Sequence, residues 1–322
     1  MANYSNIRGF KFQSIAGDPG NPVEGQVWYN TSSNVLKGYG QTGTGAWATG
    51  GTMANAHNIA YFAGTQTAGL ITAGATGGVT TNIGLSESYD GTAWTEAGEI
   101  TTPRRNGGYG GTQTSALVMG GQTPPATTKV ESWNGSAWTE TGDLQNMDGN
   151  GTRGLATSNT SAIAFGGGPS YTANTDTFNG TSWTAANALN SGRSYGGPGG
   201  TAASGWYAGG TPMSPTEQVE YWDGTSWSEG ADVVDGRAYC GGAASGSGNG
   251  LYFGGDAPGL SKLTEQYDGT AWTEVADLAT AREGLQGGGT GLTAICAGGY
   301  APDNLVAEEW AVPNATKTFT DS

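Results

Sequence analysis

One phrase returns through most of this chain at nearly constant spacing, and a fixed period of this length dictates a repeat architecture. Tryptophans stand at Trp47, Trp94, Trp138, Trp183, Trp227 and Trp272, separated by 47, 44, 45, 44 and 45 residues. Five of them close the same motif: Tyr89-Asp-Gly-Thr-Ala-Trp94, Trp133-Asn-Gly-Ser-Ala-Trp138, Phe178-Asn-Gly-Thr-Ser-Trp183, Trp222-Asp-Gly-Thr-Ser-Trp227 and Tyr267-Asp-Gly-Thr-Ala-Trp272. Small pairs keep the rhythm at Ala73-Gly74, Gly120-Gly121, Gly166-Gly167, Gly209-Gly210, Gly254-Gly255 and Gly298-Gly299. Ten residues after the tryptophan comes His57, Arg104, Arg193, Arg237 or Arg282; the third unit offers Asp148 there and Arg153 further on.

Each landmark has a physical reading. Asp-Gly or Asn-Gly between short apolar-aromatic runs is a strong hairpin signal. A two-residue turn at Asp90-Gly91 would set Tyr89 opposite Thr92 and Glu87 opposite Trp94. Apolar runs such as Ala116–Met119 and Leu251–Phe253 precede the glycine pairs, whose freedom at φ permits a sharp exit and close backbone approach. Each unit thus reads as four antiparallel strands. Strand a follows the arginine, b ends at Gly-Gly, c ends in the aromatic, and d carries the tryptophan. Six such units predict an all-β, six-bladed β-propeller.

Gly-Gly, then Tyr, then Trp at fixed distance, then an Arg leading into the next inner strand, resembles the kelch repeat. The resemblance spans residues 47 to about 310. The WD repeat, of similar period, needs a Gly-His and Trp-Asp signature, whereas this chain has one histidine. A copper centre of the galactose-oxidase kind, known on kelch-type propellers, needs several imidazoles and is not expected.

Composition agrees with a turn-rich β protein. Glycine supplies 60 of 322 residues, well above the usual share of about 7%. No strict Gly-X-Y period appears, and 32 aromatic residues (11 Trp, 14 Tyr and 7 Phe) are too many for a disordered tract. A net charge of −15 without a basic patch argues against nucleic acid as a partner. No apolar run reaches the length of a membrane span, and the start MANYSNIRGFKFQ lacks the apolar stretch of a secretory signal.

A carboxylate stands two residues before every strand-c aromatic: Glu87, Glu131, Asp176, Glu220, Glu265 and Glu308. Paired carboxylates can act as glycosidase acid and base. A group repeated in all six units belongs instead to the architecture, and these acids are expected to bond turns or pair with the recurrent arginines. His57 is expected to stand in for an arginine. Cys240 and Cys296 fall at different points of the repeat and are expected to be buried thiols. No catalytic residue, metal ligand or cofactor is expected, and no asymmetric cluster of acids, His or Tyr is apparent on the b–c face.

Antiparallel order puts the b–c links at one end of the propeller. They differ from unit to unit, and those of the last five units carry a proline: Pro124, Pro169, Pro212, Pro258 and Pro302. Stiff loops with unlike tips suit recognition, while tolerated drift would look the same. The candidate binding residues are Pro124, Tyr171, Met213, Leu260, Lys262 and Asn304.

Residues 1–46 form a separate segment before the repeats at 47–322. A turn-rich linker, Gly17–Pro22, precedes Gln26–Tyr39, which reads as a hairpin with its turn at Thr31–Asn34. This stretch resembles a small β-module of bacteriophage tail fibres and appendages. The resemblance implies a virion protein made in the host cytoplasm, with other virion proteins and a host surface receptor or glycan as partners. Two alternatives stand beside it, a bacterial kelch-type scaffold and a glycan-active enzyme.

The ring also needs closure. Trp47 is a strand-d tryptophan without a unit, and Val306–Trp310 is a strand c without a strand d. The segment around Trp47 is expected to complete the last unit, in competition with residues 316–320.

Overall fold

The computed structural model describes residues 13–319 except 42, 79, 148, 213–215 and 301–304. The described residues contain strands and turns but no helix, so no helix is long and apolar enough to cross a membrane. They form seven four-stranded sheets and one two-stranded sheet, a pattern consistent with a multi-blade propeller. Contacts divide the chain into two units, Met1–Gly45 with Val312–Ser322, and Ala46–Ala311.

The larger unit holds six of the four-stranded sheets, each antiparallel and ordered a-b-c-d. Sheet 1 comprises Tyr61–Thr65, Ala68–Thr72, Ser86–Tyr89 and Trp94–Ala97; sheet 2 comprises Gly108–Thr112, Ser115–Gln122, Ala126–Trp133 and Trp138–Thr141. Sheet 3 takes Arg153–Ser158, Ser161–Phe165, Thr175–Phe178 and Trp183–Ala185; sheet 4 takes Gly197–Thr201, Ser204–Ala208, Val219–Trp222 and Trp227–Glu229. Sheet 5 is built from Gly241–Gly246, Asn249–Phe253, Thr264–Tyr267 and Trp272–Glu274. Sheet 6 combines Glu283–Gly289, Thr293–Tyr300 and Val306–Ala311 with the early strand Ala46–Thr52 as its strand d. The expected closure is found: Trp310 pairs with Trp47 and Ala311 with Ala46.

Each strand a lies beside strand a of the next sheet, and that of sheet 6 lies beside that of sheet 1. Two cycles of main-chain hydrogen bonds join them. In the first, Ile59 N–H donates to Gly284 O (2.8 Å), Asn106 to Ile59 (3.0 Å), and Gly151 to Asn106 (2.7 Å). Tyr195 then donates to Gly151 (3.4 Å), Tyr239 to Tyr195 (2.6 Å), and Gly284 to Tyr239 (2.8 Å), which returns to the start. In the second, the second residue of each small pair donates to the next sheet. Gly74, Gly121, Gly167, Gly210, Gly255 and Gly299 reach the carbonyls of Arg104, Gly149, Arg193, Arg237, Arg282 and His57. Gly210 shows why glycine is required. Its φ is +99°, and a Cβ there would fall 2.5 Å from Ser194 O.

The strand-d tryptophans seal neighbouring sheets. Trp138, Trp183, Trp227 and Trp272 are buried, and Trp47 and Trp94 are half-buried. Their indole N–H groups mostly reach the preceding sheet: Trp227 donates to Thr175 Oγ1 (3.0 Å), Trp47 to Thr264 Oγ1 (3.0 Å) and Trp138 to Ser86 Oγ (3.3 Å).

Two expectations need correction, and the third unit departs from the others. The Asp-Gly loops have four residues rather than two, and Tyr89 pairs with Trp94 and Glu87 with Glu96. Asp90 Oδ1 accepts the N–H groups of both Thr92 and Ala93 at 2.8 Å, and only Gly91 takes positive φ. The side chain thus builds the turn that two left-handed residues would otherwise make. In the third unit Gly149 supplies the carbonyl that an arginine or His57 supplies elsewhere; Asp148 lies outside the described residues. Finally, the C-terminal stretch assigned to the repeats pairs with the N-terminal segment. Asn314–Thr318 forms an antiparallel edge on Val35–Gln41.

That segment is a sheet of its own, ordered Gln13–Ile15, Val27–Asn30, Val35–Gln41 and Asn314–Thr318. The expected hairpin is present, with Asn30 opposite Val35. Asn34 takes φ of +55°, and Asn30 Oδ1 accepts from Ser32 and Ser33 N–H. Trp28 is fully buried and, with Asn30 and Lys37, donates to Asp18 at 3.2, 2.7 and 2.9 Å. These donors hold the Asp18 carboxyl below its usual pKa, with Lys37 the largest contributor.

Candidate functional site

The six repeated acids are consumed by the scaffold. Each accepts two successive main-chain N–H groups from the d–a link before it: Ala54 and Asn55 on Glu87, Thr101 and Thr102 on Glu131, Gln145 and Asn146 on Asp176. Asn190 and Ser191 bind Glu220, Val234 and Asp235 bind Glu265, and Ala279 and Thr280 bind Glu308. Five also meet the cation-position residue. Arg104–Glu131 is 2.7 Å, Arg193–Glu220 2.6 Å, Arg237–Glu265 3.0 Å and His57–Glu87 3.4 Å; Arg282 pairs with Glu308. These pairs are buried, and Arg193 and Arg237 stack on Tyr207 and Tyr252 at 4.7 and 4.5 Å. Among the described residues Asp176 meets no arginine. Arg153 instead donates through Nε to Gly196 O (2.9 Å) and through Nη1 to Thr152 O (3.2 Å).

Chemistry that differs between sheets lies where main-chain groups do the joining. Beside each small pair, one residue bridges to the residue after the cation position, giving Asn58–Ala75, Arg105–Gln122, Ser194–Thr211 and Ala238–Asp256. Asn150 and Gly168 are joined by a hydrogen bond, and Glu283 pairs with Tyr300. The next residue in chain order is the first-cycle member: Ile59, Asn106, Gly151, Tyr195, Tyr239 or Gly284. Backbone satisfies both cycles, so these side chains are free to vary.

Sheets 5 and 6 use that freedom most. A cavity of about 420 Å³ is lined by Ile59, Tyr239, Asp256, Glu283, Gly284 and Tyr300, together with Gly78. Burial, followed by repulsion from Asp256, raises the Glu283 pKa above the usual carboxylate range. Among the described residues, neither acid has an ion-pair partner. Asp256 Oδ1 accepts Gly259 N–H. Burial pushes the Tyr239 hydroxyl up to about 12, helped by Tyr195, whose ring stacks on it at 4.7 Å. Tyr300 is 47% exposed. This is an asymmetric acid and tyrosine cluster on the b–c face, where the sequence reading found none.

A second cavity, of about 290 Å³, lies among the six a strands, each of which lends four successive residues. The last of these is always a hydroxyl residue: Thr65, Thr112, Thr157, Thr201, Ser245 or Thr290.

The candidates named from sequence are scattered. Pro124, Tyr171, Leu260 and Lys262 are exposed on the b–c links of sheets 2, 3 and 5, and none lines either cavity. Lys262 pairs with Asp277 at 3.4 Å. Met213 and Asn304 lie outside the described residues. Cys240 and Cys296 are buried free thiols, raised by burial to about 11 and about 12. Among the described residues no group of three metal-ligating side chains converges.

No protein-family model matches the chain, and no curated protein matches it.

Proposed function

We propose that the chain is a six-bladed β-propeller of kelch type, serving as a non-enzymatic structural protein of a bacteriophage particle. Its N-terminal sheet docks on the particle, and its b–c face binds a partner, either a host surface component or a neighbouring virion subunit. The observation that carries the binding reading is the division of labour within each sheet. Buried pairs and main-chain cycles repeat, while one face carries unlike side chains around a cavity of about 420 Å³. The phage reading draws on the Gln26–Tyr39 hairpin and its resemblance to appendage modules.

A mass-spectrometric inventory of particles purified from the source carrying the gene should contain peptides of this chain. Their absence from particles that contain the remaining structural proteins would overturn the virion reading and leave the bacterial scaffold.

One observation favours a second reading, a glycan-active enzyme: Asp256 and Glu283 share a cavity and one has a raised pKa. Release of reducing ends from host surface glycans, lost in Glu283→Gln, would establish it.

A further inference from the structure

Sheets 5 and 6 break the repeat in one direction only. At the position after the residue whose carbonyl accepts from the small pair, the six sheets carry Asn58, Arg105, Asn150, Ser194, Ala238 and Glu283. At the position after the small pair they carry Ala75, Gln122, Gly168, Thr211, Asp256 and Tyr300. The single acid in each set falls in adjacent sheets, and both line one cavity.

The architecture does not consume these acids. The repeated carboxylates are buried and each accepts at least two main-chain N–H groups, whereas Glu283 and Asp256 are half-buried and open to the cavity. Asp256 accepts one N–H and Glu283 accepts none from the described residues. Two carboxylates held together without a counter-charge repel, and a cation between them relieves that repulsion. The remaining walls suit an organic cation better than a bare metal ion. Tyr239 and Tyr300 line the same cavity, Ile59 adds an apolar surface, and tyrosine faces attract ammonium and guanidinium groups. The stack of Tyr195 on Tyr239 fixes one of these rings before any ligand arrives.

We infer that the cavity bordered by sheets 5, 6 and 1 binds an alkylammonium or guanidinium group, held between Asp256 and Glu283 and against Tyr239 and Tyr300. The group is the head of a lysine or arginine side chain on a partner protein, or the same chemistry in a free amine. The inference rests on the b–c face being the binding face and names what that face takes.

Calorimetric titration of the full chain tests it at low ionic strength. N-acetyl-lysine methylamide represents the side-chain source, agmatine the free-amine source, and cellobiose a neutral sugar. One saturable site is expected for the two cations and none for cellobiose. The double substitution Asp256→Asn, Glu283→Gln should weaken cation binding by at least about tenfold. Tyr300→Ala, which removes a side chain that is 47% exposed, should weaken it several-fold. Raising the salt from 20 to about 200 mM should weaken wild-type binding and barely move the residual binding of the double variant. Absence of saturable cation binding, equal binding by the double variant, or binding of cellobiose alone would each overturn the inference. Agmatine binding without the lysine analogue would assign the site to free amines. The same chain applied to purified particles and host envelopes separates the two readings. Attachment without amine binding sinks only this inference; amine binding without attachment sinks only the proposed role.

Discussion

Val130→Thr should be tolerated in a place where a buried valine-to-threonine exchange normally costs stability. The first buried residue of strand c faces the tryptophan of the following sheet, and the six sheets place Ser86, Val130, Thr175, Val219, Thr264 and Ala307 there. Ser86, Thr175 and Thr264 accept the indole N–H of Trp138, Trp227 and Trp47. Where the hydroxyl is missing, Trp272 finds Tyr221 Oη (3.0 Å) and Trp94 finds Gly51 O (3.2 Å). Trp183, packed in one cluster with Val130, has a buried N–H without an acceptor among the described residues. An unsatisfied buried donor costs about 1–3 kcal/mol, and burying an unpaired hydroxyl costs about the same. In Val130→Thr each group satisfies the other, so the net change should lie within about 1 kcal/mol of zero. Val219→Thr is the control, since the indole it faces is already bonded. It should lose about 1–3 kcal/mol. Equilibrium urea unfolding of both variants, and of Val130→Thr in a Trp183→Phe background, measures the difference. An equal loss for Val130→Thr and Val219→Thr, or no dependence on the Trp183 indole, would refute the reasoning.

Trp183→Ala, emptying a buried site between sheets 2 and 3, should cost about 3–5 kcal/mol; an unchanged denaturation midpoint would show that the interface is misassigned. Glu131→Gln leaves the buried Arg104 guanidinium without its counter-charge and should cost about 3–5 kcal/mol, while any attachment to particles or cells persists in the folded fraction. Glu283 carries a raised pKa in the folded chain, so between about pH 4.5 and that higher value the folded state holds the extra proton and stability falls as pH rises. Glu283→Gln should therefore flatten this slope and melt above wild type at pH 7; a lower melting temperature would contradict it. Deleting residues 1–49 removes the Trp47 half of the Trp310–Trp47 pairing, whereas deleting 313–322 removes only an edge of the N-terminal sheet. The first deletion should lower the melting temperature of the repeat unit more than the second.

The landmarks legible in the sequence are those whose backbone role admits few residues. The second glycine of each pair aims its N–H at the next sheet from a φ that other residues avoid, so it recurs and could be counted. The tryptophans recur because each must reach across to a neighbour. Ring closure was legible because one strand d lacked a unit and one unit lacked a strand d. Other features were hidden. Asp90-Gly91 has the residues of a two-residue turn, but the carboxylate of Asp90 captures two main-chain donors and lengthens the loop. The C-terminal strand carries no repeat phrase, and its partner Val35–Gln41 lies far away in the chain. The cavity on the b–c face escaped notice because its walls come from Ile59, Tyr239, Asp256, Glu283 and Tyr300, far apart in sequence and neighbours only once the ring closes. The signal was present all the same. Aligning the six units shows which positions refuse to repeat.

Those positions vary because the scaffold does not need their side chains. Both hydrogen-bond cycles run through main-chain N–H and C=O groups, and every repeated acid spends its oxygens on main-chain donors as well as on its arginine or histidine where it has one. Replacing a residue beside a cycle therefore leaves the joints between sheets intact, provided its φ is tolerated. Tyr195 and Tyr239 show the cost of that proviso, since both hold positive φ, at +64° and +57°. Strain is thus concentrated in the same short stretch that carries the variable chemistry. The stacking of the two rings on one another gives it a local compensation, and Asn106 at the equivalent position of sheet 2 has its own in the bond from its Nδ2 to Asn150 Oδ1 (2.7 Å). For the proposed binding role, a pair of aromatic rings held against their backbone preference, next to two carboxylates without an ion-pair partner among the described residues, makes a preorganised surface. On the proposed binding role, the repeat supplies the rigidity and the departures from it supply the specificity.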